Sequence, residues 1–206
     1  MKLYLAKVSE IAREVLETLQ QGEDIDGEAE GDRSGKGVSL SADGTRVAIG
    51  AYANGGIGNE RPQAGHVRIF EWNGTGWNHQ GEDIDGEDPF DSSGEAVSLS
   101  SDGAVVAIGA SENSENGVQS GHVRIYQWDG TAWNKRGEDI DGEEDGDLSG
   151  HSVSLSADGT IVAIGAIYND ANEEESGHVR IYQWNETQWI QRGNDIDGEA
   201  EGDYSG

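Results

Sequence analysis

The chain has no cysteine and only two prolines in 206 residues. That excludes disulfides, thiolate metal sites and a thiol nucleophile. Basic residues are scarce, with 13 Lys plus Arg against 41 Asp plus Glu and a formal net charge of -28. Phosphate binding needs a basic surface, so nucleic acid is excluded as a partner and anionic membrane surfaces are disfavoured. Divalent cations and cationic partners stay open. No apolar run is long enough to cross a bilayer, so membrane insertion is not expected. There is no Gly-x-Ser-x-Gly elbow and no Walker loop. Hydrophobic residues make up 33% of the chain, low for a globular domain but above the disordered regime.

What is abundant is glycine, 32 residues, and one acidic phrase. Gly-Glu-Asp-Ile-Asp-Gly-Glu stands at 22–28, 81–87 and 137–143, and returns with Asn194 at 193–199. From Gly22 to Gly81 is 59 residues, and the next two intervals are 56 each. Repeats at such a period mark propellers, solenoids or arrays. The chain therefore divides into residues 1–21, repeats over 22–80, 81–136 and 137–192, and residues 193–206, the start of a fourth copy that reads as truncated. Met1 to Gln21 places Leu5, Val8, Ile11, Ala12, Val15, Leu16 and Leu19 at helical spacing, which predicts an amphipathic helix of about five turns. Charges interrupt it too often for a signal peptide.

Each copy carries four strand signals. In the first copy these are Val38 to Ser41, Arg46 to Ala51, His66 to Trp72, and a stretch from Trp77 to Ile84. Asp43-Gly44 joins the first pair and Asn73-Gly74 the second, both strong tight-turn signals. The third copy has Asn185-Glu186 at the second turn, which predicts a less favourable backbone there. Val38/Leu40 and Val47/Ile49 alternate with small or polar residues, as sheet strands do. Four antiparallel strands per copy predict an all-β chain of three propeller blades, an incomplete ring, behind the N-terminal helix. Three blades cannot close, so self-association or missing blades is expected. The connections between second and third strands vary in length and sequence: Tyr52 to Ala64, Ser111 to Ser120 and Ile167 to Ser176.

Ser34-Gly35, Ile49-Gly50-Ala51 and Gly65 to Phe70, in that order and spacing, resemble the FG-GAP repeat of integrin α-subunit propellers and related extracellular proteins. The resemblance covers all three copies from about residue 22. It implies a propeller used for adhesion or ligand binding outside the cell or at its surface. It also implies a calcium loop between strands one and two, but Ser41 to Thr45 offers one carboxylate where calcium prefers six to eight oxygens. That site is not expected here.

The acidic phrase is the other place for a cation. Asp24, Asp26, Glu28 and Asp32 recur as Asp83, Asp85, Glu87 and Asp91, and again as Asp139, Asp141, Glu143 and Asp147. Up to four hard oxygen ligands per copy suit calcium. The competing reading is a strand end followed by a solvated turn. His66, His122 and His178 occupy equivalent points of separate copies and are not expected to converge on one ion; His79 and His151 fall at non-equivalent points. Trp72/Trp77, Trp128/Trp133 and Trp184/Trp189 read as cross-strand packing, with sugar stacking as the alternative. Arg68, Arg124 and Arg180 lie mid-strand and need anionic partners, for which the aspartates of the adjacent fourth strand are candidates. Asn73 and Asn185 match the glycosylation pattern, but turn chemistry explains them as well. Paired carboxylates recur equally in every copy, whereas an active site usually breaks such symmetry, so no enzyme is expected. The functional expectation is a non-enzymatic binding or adhesion module, calcium-assisted, taking a protein or glycan ligand on its loop rim. A purely structural acidic array and a carbohydrate-active propeller enzyme are the alternatives.

Overall fold

The computed structural model describes residues 20–56 and 60–206. The helix expected over Met1 to Gln21 lies outside these, apart from Gln20 and Gln21, which are not helical. The described residues are all-β, in three antiparallel sheets. The first sheet holds β1 (Val38–Leu40), β2 (Arg46–Ala51), β3 (His66–Trp72), β4 (Trp77–His79) and β5 (Ile84–Asp85). The second holds β6 (Ala96–Leu99), β7 (Val105–Ala110), β8 (His122–Trp128), β9 (Trp133–Lys135) and β10 (Ile140–Asp141). The third holds β11 (Ser149–Leu155), β12 (Ile161–Ala166), β13 (His178–Trp184), β14 (Trp189–Gln191) and β15 (Ile196–Asp197).

The first three strands of each sheet fall where alternation and turn residues place them. The fourth does not run through as expected. In the first sheet Phe70 pairs with His79 and Val67 pairs with Ile84. Three steps along β3 thus face five steps on the outer strand, and Gln80 to Asp83 bulges out. This bulge contains a residue at positive φ, Gly81 at +84°, a conformation that glycine takes without steric cost. The acidic phrase is therefore split: its start forms the bulge, and its Ile-Asp returns to the sheet. Each sheet in consequence ends inside the following sequence repeat.

The core lies between sheets. Alternation sends Val106 and Ile108 of β7, with Leu99 of β6, toward the first sheet, where they meet Ala48, Val67, Ile69 and Ile84. Val105 and Ala107 point the other way and pack with Val123, Ile140, Val162 and Ile164. The middle sheet is thus buried on both faces, and all six residues of β7 are buried. The inner strands β1, β6 and β11 lie side by side. Ser39 Oγ accepts a bond from Leu99 N at 2.9 Å, and Ser98 Oγ accepts one from Leu155 N at 3.0 Å. The outward sides of the end sheets are open: Val38 and Leu40 are 55% and 58% exposed, and Ile196 is 54% exposed.

Two tight turns per sheet close one end. Asp43, Asp129 and Asp158 accept bonds from their own turn backbone and hydroxyls, which hold each carboxyl down at about 2. Asn73 Oδ1 takes the same three turn donors as Asp129 Oδ1, namely two backbone amides and a threonine hydroxyl. Turn geometry accounts for both residues. Glu186 stands where the other copies have Gly74 and Gly130, at φ +81° against +97° and +101°.

Candidate functional site

The acidic phrases and the variable loops share the opposite end. Each loop reaches the phrase that follows it. Arg61 donates to the Gly86 carbonyl at 2.7 Å, Asn116 to Gly142 at 2.9 Å and Asn172 to Gly198 at 2.8 Å. A Cβ at Gly86 would overlap the Ala64 carbonyl, which explains why the sixth residue of the phrase is glycine.

The phrase also ties one sheet to the next. Arg68, Arg124 and Arg180 donate to the backbone carbonyls of Asp26, Asp85 and Asp141 at 2.7, 2.8 and 2.6 Å. Their other guanidinium nitrogens face Glu28, Glu87 and Glu143 at 3.8, 3.5 and 3.5 Å. The partners expected for these arginines were the aspartates of their own sheet's outer strand. The structure corrects this: the partner is the phrase that opens the arginine's own copy, which for Arg124 and Arg180 is the outer edge of the preceding sheet, and the contact is through a glutamate side chain and the aspartate's backbone oxygen rather than its carboxylate. The Trp pairs take part in the same contact. Trp133 Nε1 donates to Gln80 O at 2.9 Å and Trp189 Nε1 to Arg136 O at 2.8 Å. A Cβ on Gly81 would come within 2.8 Å of Trp128. The tryptophans are thereby engaged in packing between repeats.

The carboxylates of one phrase divide among separate tasks. Asp32, Asp91 and Asp147 are buried. They accept backbone amides of their own loop, from Ala29, Asp88 and Glu144, at 3.0, 2.9 and 3.1 Å. Burial pushes the Asp91 carboxyl above its ordinary range. Asp26 contributes its carbonyl to Arg68, and Asp141 lies beside Asp139, with burial the main cause of its raised carboxyl. Asp85 pairs with Arg61 at 3.3 Å. Asp24 accepts a bond from Gln20 at 2.7 Å.

The remaining carboxylates converge across repeats. Glu28 of one phrase, His66 and Asp83 of the next phrase bring ligand atoms within 4.8 Å of one another. Glu143, His178 and Asp195 repeat this, and Glu87, His122 and Asp139 do so with Glu115 added from a variable loop. The bulge in the outer strand is what turns Asp83 toward His66 Nδ1, at 3.6 Å. Sequence reasoning was right that the three histidines do not meet each other. It missed that each meets two carboxylates from different copies, which lie 38 and 17 residues away for His66.

The three histidines are buried, and neither ring nitrogen of His122 or His178 has a hydrogen-bond partner among the described residues. Nε2 of His66 is likewise unpartnered. Burial, with Arg124 next, drives the His122 imidazole down to about 4, so it is neutral at physiological pH. Beside each cluster one outer-strand position differs between copies: His79, Lys135 and Gln191. His79 Nε2 lies 3.1 Å from Asp83, and Lys135 Nζ lies 2.7 Å from Asp139 and 3.7 Å from Glu87. Gln191 donates to Asp195. Burial opposes the Lys135 charge, but Asp139 and Glu87 hold the ammonium above the ordinary lysine range. The first cluster opens into a cavity of about 910 Å³ whose lining includes Glu28, Asp32, Glu60, His66, His79 and Asp83.

The class of fold these features define is a β-propeller-like array. Among solved structures the chain is similar to Saccharomyces cerevisiae Sqt1, with TM-score 0.52 and 14% identity over 87% of this chain and 40% of that one. It is also similar to Kuenenia stuttgartiensis hydrazine synthase, with TM-score 0.46 and 11% identity over 88% of this chain and 41% of that one. The chain thus spans about 40% of the length of these structures, and the likeness to Sqt1 bears on the fold alone. No family model matches the chain, and no curated protein matches it in sequence.

Proposed function

We propose that the chain is a non-enzymatic binding module of the kind its FG-GAP resemblance implies, acting outside the cell or at its surface. It takes a protein or glycan ligand on the rim where the variable loops and acidic phrases lie. The observation that carries this reading is the seating of each variable loop on the phrase that follows it. A repeated, rigid acidic floor then presents segments that differ from copy to copy, and function concentrates on loops held by such a scaffold. Among the described residues, the opposite end offers short turns closed on themselves. A divalent cation would assist by neutralising carboxylates that face one another across the clefts. The structural-array alternative is favoured by other residues: Asp32, Asp91, Asp147 and the tryptophans are consumed in internal contacts.

The test exchanges the three variable loops for Gly-Ser segments, sparing Arg61, Asn116 and Asn172, which tie loop to phrase. Circular dichroism and the unfolding transition should be kept. Capture by an immobilised panel of glycans and basic peptides should be lost. Capture that survives the exchange and fails when the Asp-Gly turns are altered would place binding on the other rim. A panel from which the unaltered chain captures nothing would favour the structural array.

A further inference from the structure

The residue that differs beside each cluster shows what the clusters are suited to hold. In the second cleft a cation is already in place. The Lys135 ammonium bridges Asp139 and Glu87, the two carboxylates that flank His122. Among the described residues, the first and third clefts have the same glutamate, histidine and aspartate without an ammonium between them. There the imidazole faces its carboxylates at distances too long for hydrogen bonds. His66 Nδ1 is 3.8 Å from Glu28 and 3.6 Å from Asp83, and His178 Nδ1 is 3.9 Å from Asp195. Two ligands each about 2.1 Å from a tetrahedral ion are about 3.4 Å apart. A small inward movement of the exposed glutamate and half-buried aspartates would reach that separation.

We propose that the first and third clefts, through Glu28, His66 and Asp83 and through Glu143, His178 and Asp195, each bind a first-row transition dication of the zinc type. A buried imidazole with free nitrogens selects such an ion over calcium, which prefers six to eight oxygens. Two carboxylates balance its charge. Arg68 and Arg180 lean on Oε1 of Glu28 and Glu143, the same oxygen in each copy. In the first cleft that leaves Oε2 of Glu28 facing His66. His79 and Gln191 hold the second oxygen of Asp83 and Asp195, a positioning role. Three protein ligands leave one position of a tetrahedral ion open toward the rim. The inference rests on the rim as the binding face only for its location, and its ligands lie outside the variable loops. A loop-exchanged chain that keeps its metal but captures nothing separates the two readings.

The experiment titrates the full chain with Zn²⁺ by calorimetry and with Co²⁺ by visible absorption. CaCl₂ and NaCl at matched ionic strength serve as controls. Two Zn²⁺ per chain are expected, with tetrahedral cobalt bands and a melting shift beyond that of either control. Glu28→Gln or Glu143→Gln should each remove one ion, weakening that site by at least about tenfold. Both glutamate side chains are exposed, at 46% and 42%, so circular dichroism should show the fold kept. Lys135→Gln, which copies the third cleft, should raise the stoichiometry to three. A stoichiometry that the glutamate variants leave unchanged, or that Lys135→Gln fails to raise, overturns the proposal. Equal melting shifts from Zn²⁺, Ca²⁺ and matched NaCl would also overturn it.

Discussion

Glu186 holds a left-handed backbone at φ +81° in a turn whose two sister copies use glycine. An L side chain pays about 1–2 kcal/mol there, and the carboxylate is exposed, so little is lost with it. Glu186→Gly should stabilise the chain by roughly 1 kcal/mol after the greater unfolded-state freedom of glycine is subtracted. Urea unfolding checks this, and a midpoint that falls would mean Glu186 makes a stabilising contact beyond its turn. The strain was legible in the sequence, because the repeat supplied its own comparison. His79 shows the opposite case. It matched no histidine in the other copies and so carried no signal, yet its position beside the first cluster is where the copies differ most usefully. The comparison that reveals it sets His79 against Lys135 and Gln191, three polar residues each bonded to the same aspartate of the phrase.

At the scale of the strand, the repeated Ile-Asp of the phrase has one conformation and two environments. Ile84 and Ile140 are each 5% exposed against the next sheet, while Ile196 is 54% exposed. Ile84→Ala should cost about 2–5 kcal/mol, as buried large-to-small changes do. Ile196→Ala should fall within about 0.5 kcal/mol of neutral. Comparable losses at both positions in chemical unfolding would show that the phrase, not the sheet interface, sets their burial. Strands one to three were readable because period-two alternation and Asp-Gly or Asn-Gly turns bounded them. The fourth strand was misread as continuous because Gly81 between polar residues looks the same in a strand interior and in a bulge. The arginine partners were misassigned for a related reason. Alternation says which face a side chain takes, but not that the phrase opening the same copy closes the preceding sheet and lies against that face.

Across the whole molecule, the charge of -28 sits in the same repeats that must pack side by side. Much of the like-charge repulsion is between exposed carboxylates, which salt screens over about 10 Å at 0.1 M. The melting temperature should therefore rise between 20 and 500 mM NaCl, with circular dichroism unchanged. A flat or falling profile would show that the arginine and lysine pairs across the clefts, which salt weakens, outweigh the repulsion.

The contact between sheets is unlike on its two sides. Arg124, Arg180, Trp133 and Trp189 donate to backbone carbonyls at the outer edge of the preceding sheet, whereas Arg46 and Arg136 donate to turn carbonyls, Asp102 and Gly159, of the following one. The first and last sheets therefore present unlike faces, Val38 and Leu40 at one end and Ile196 at the other. Joining the first sheet of one chain to the last sheet of another is heterologous: it closes into a ring if the rotation per chain divides a full turn, and otherwise grows as an open filament.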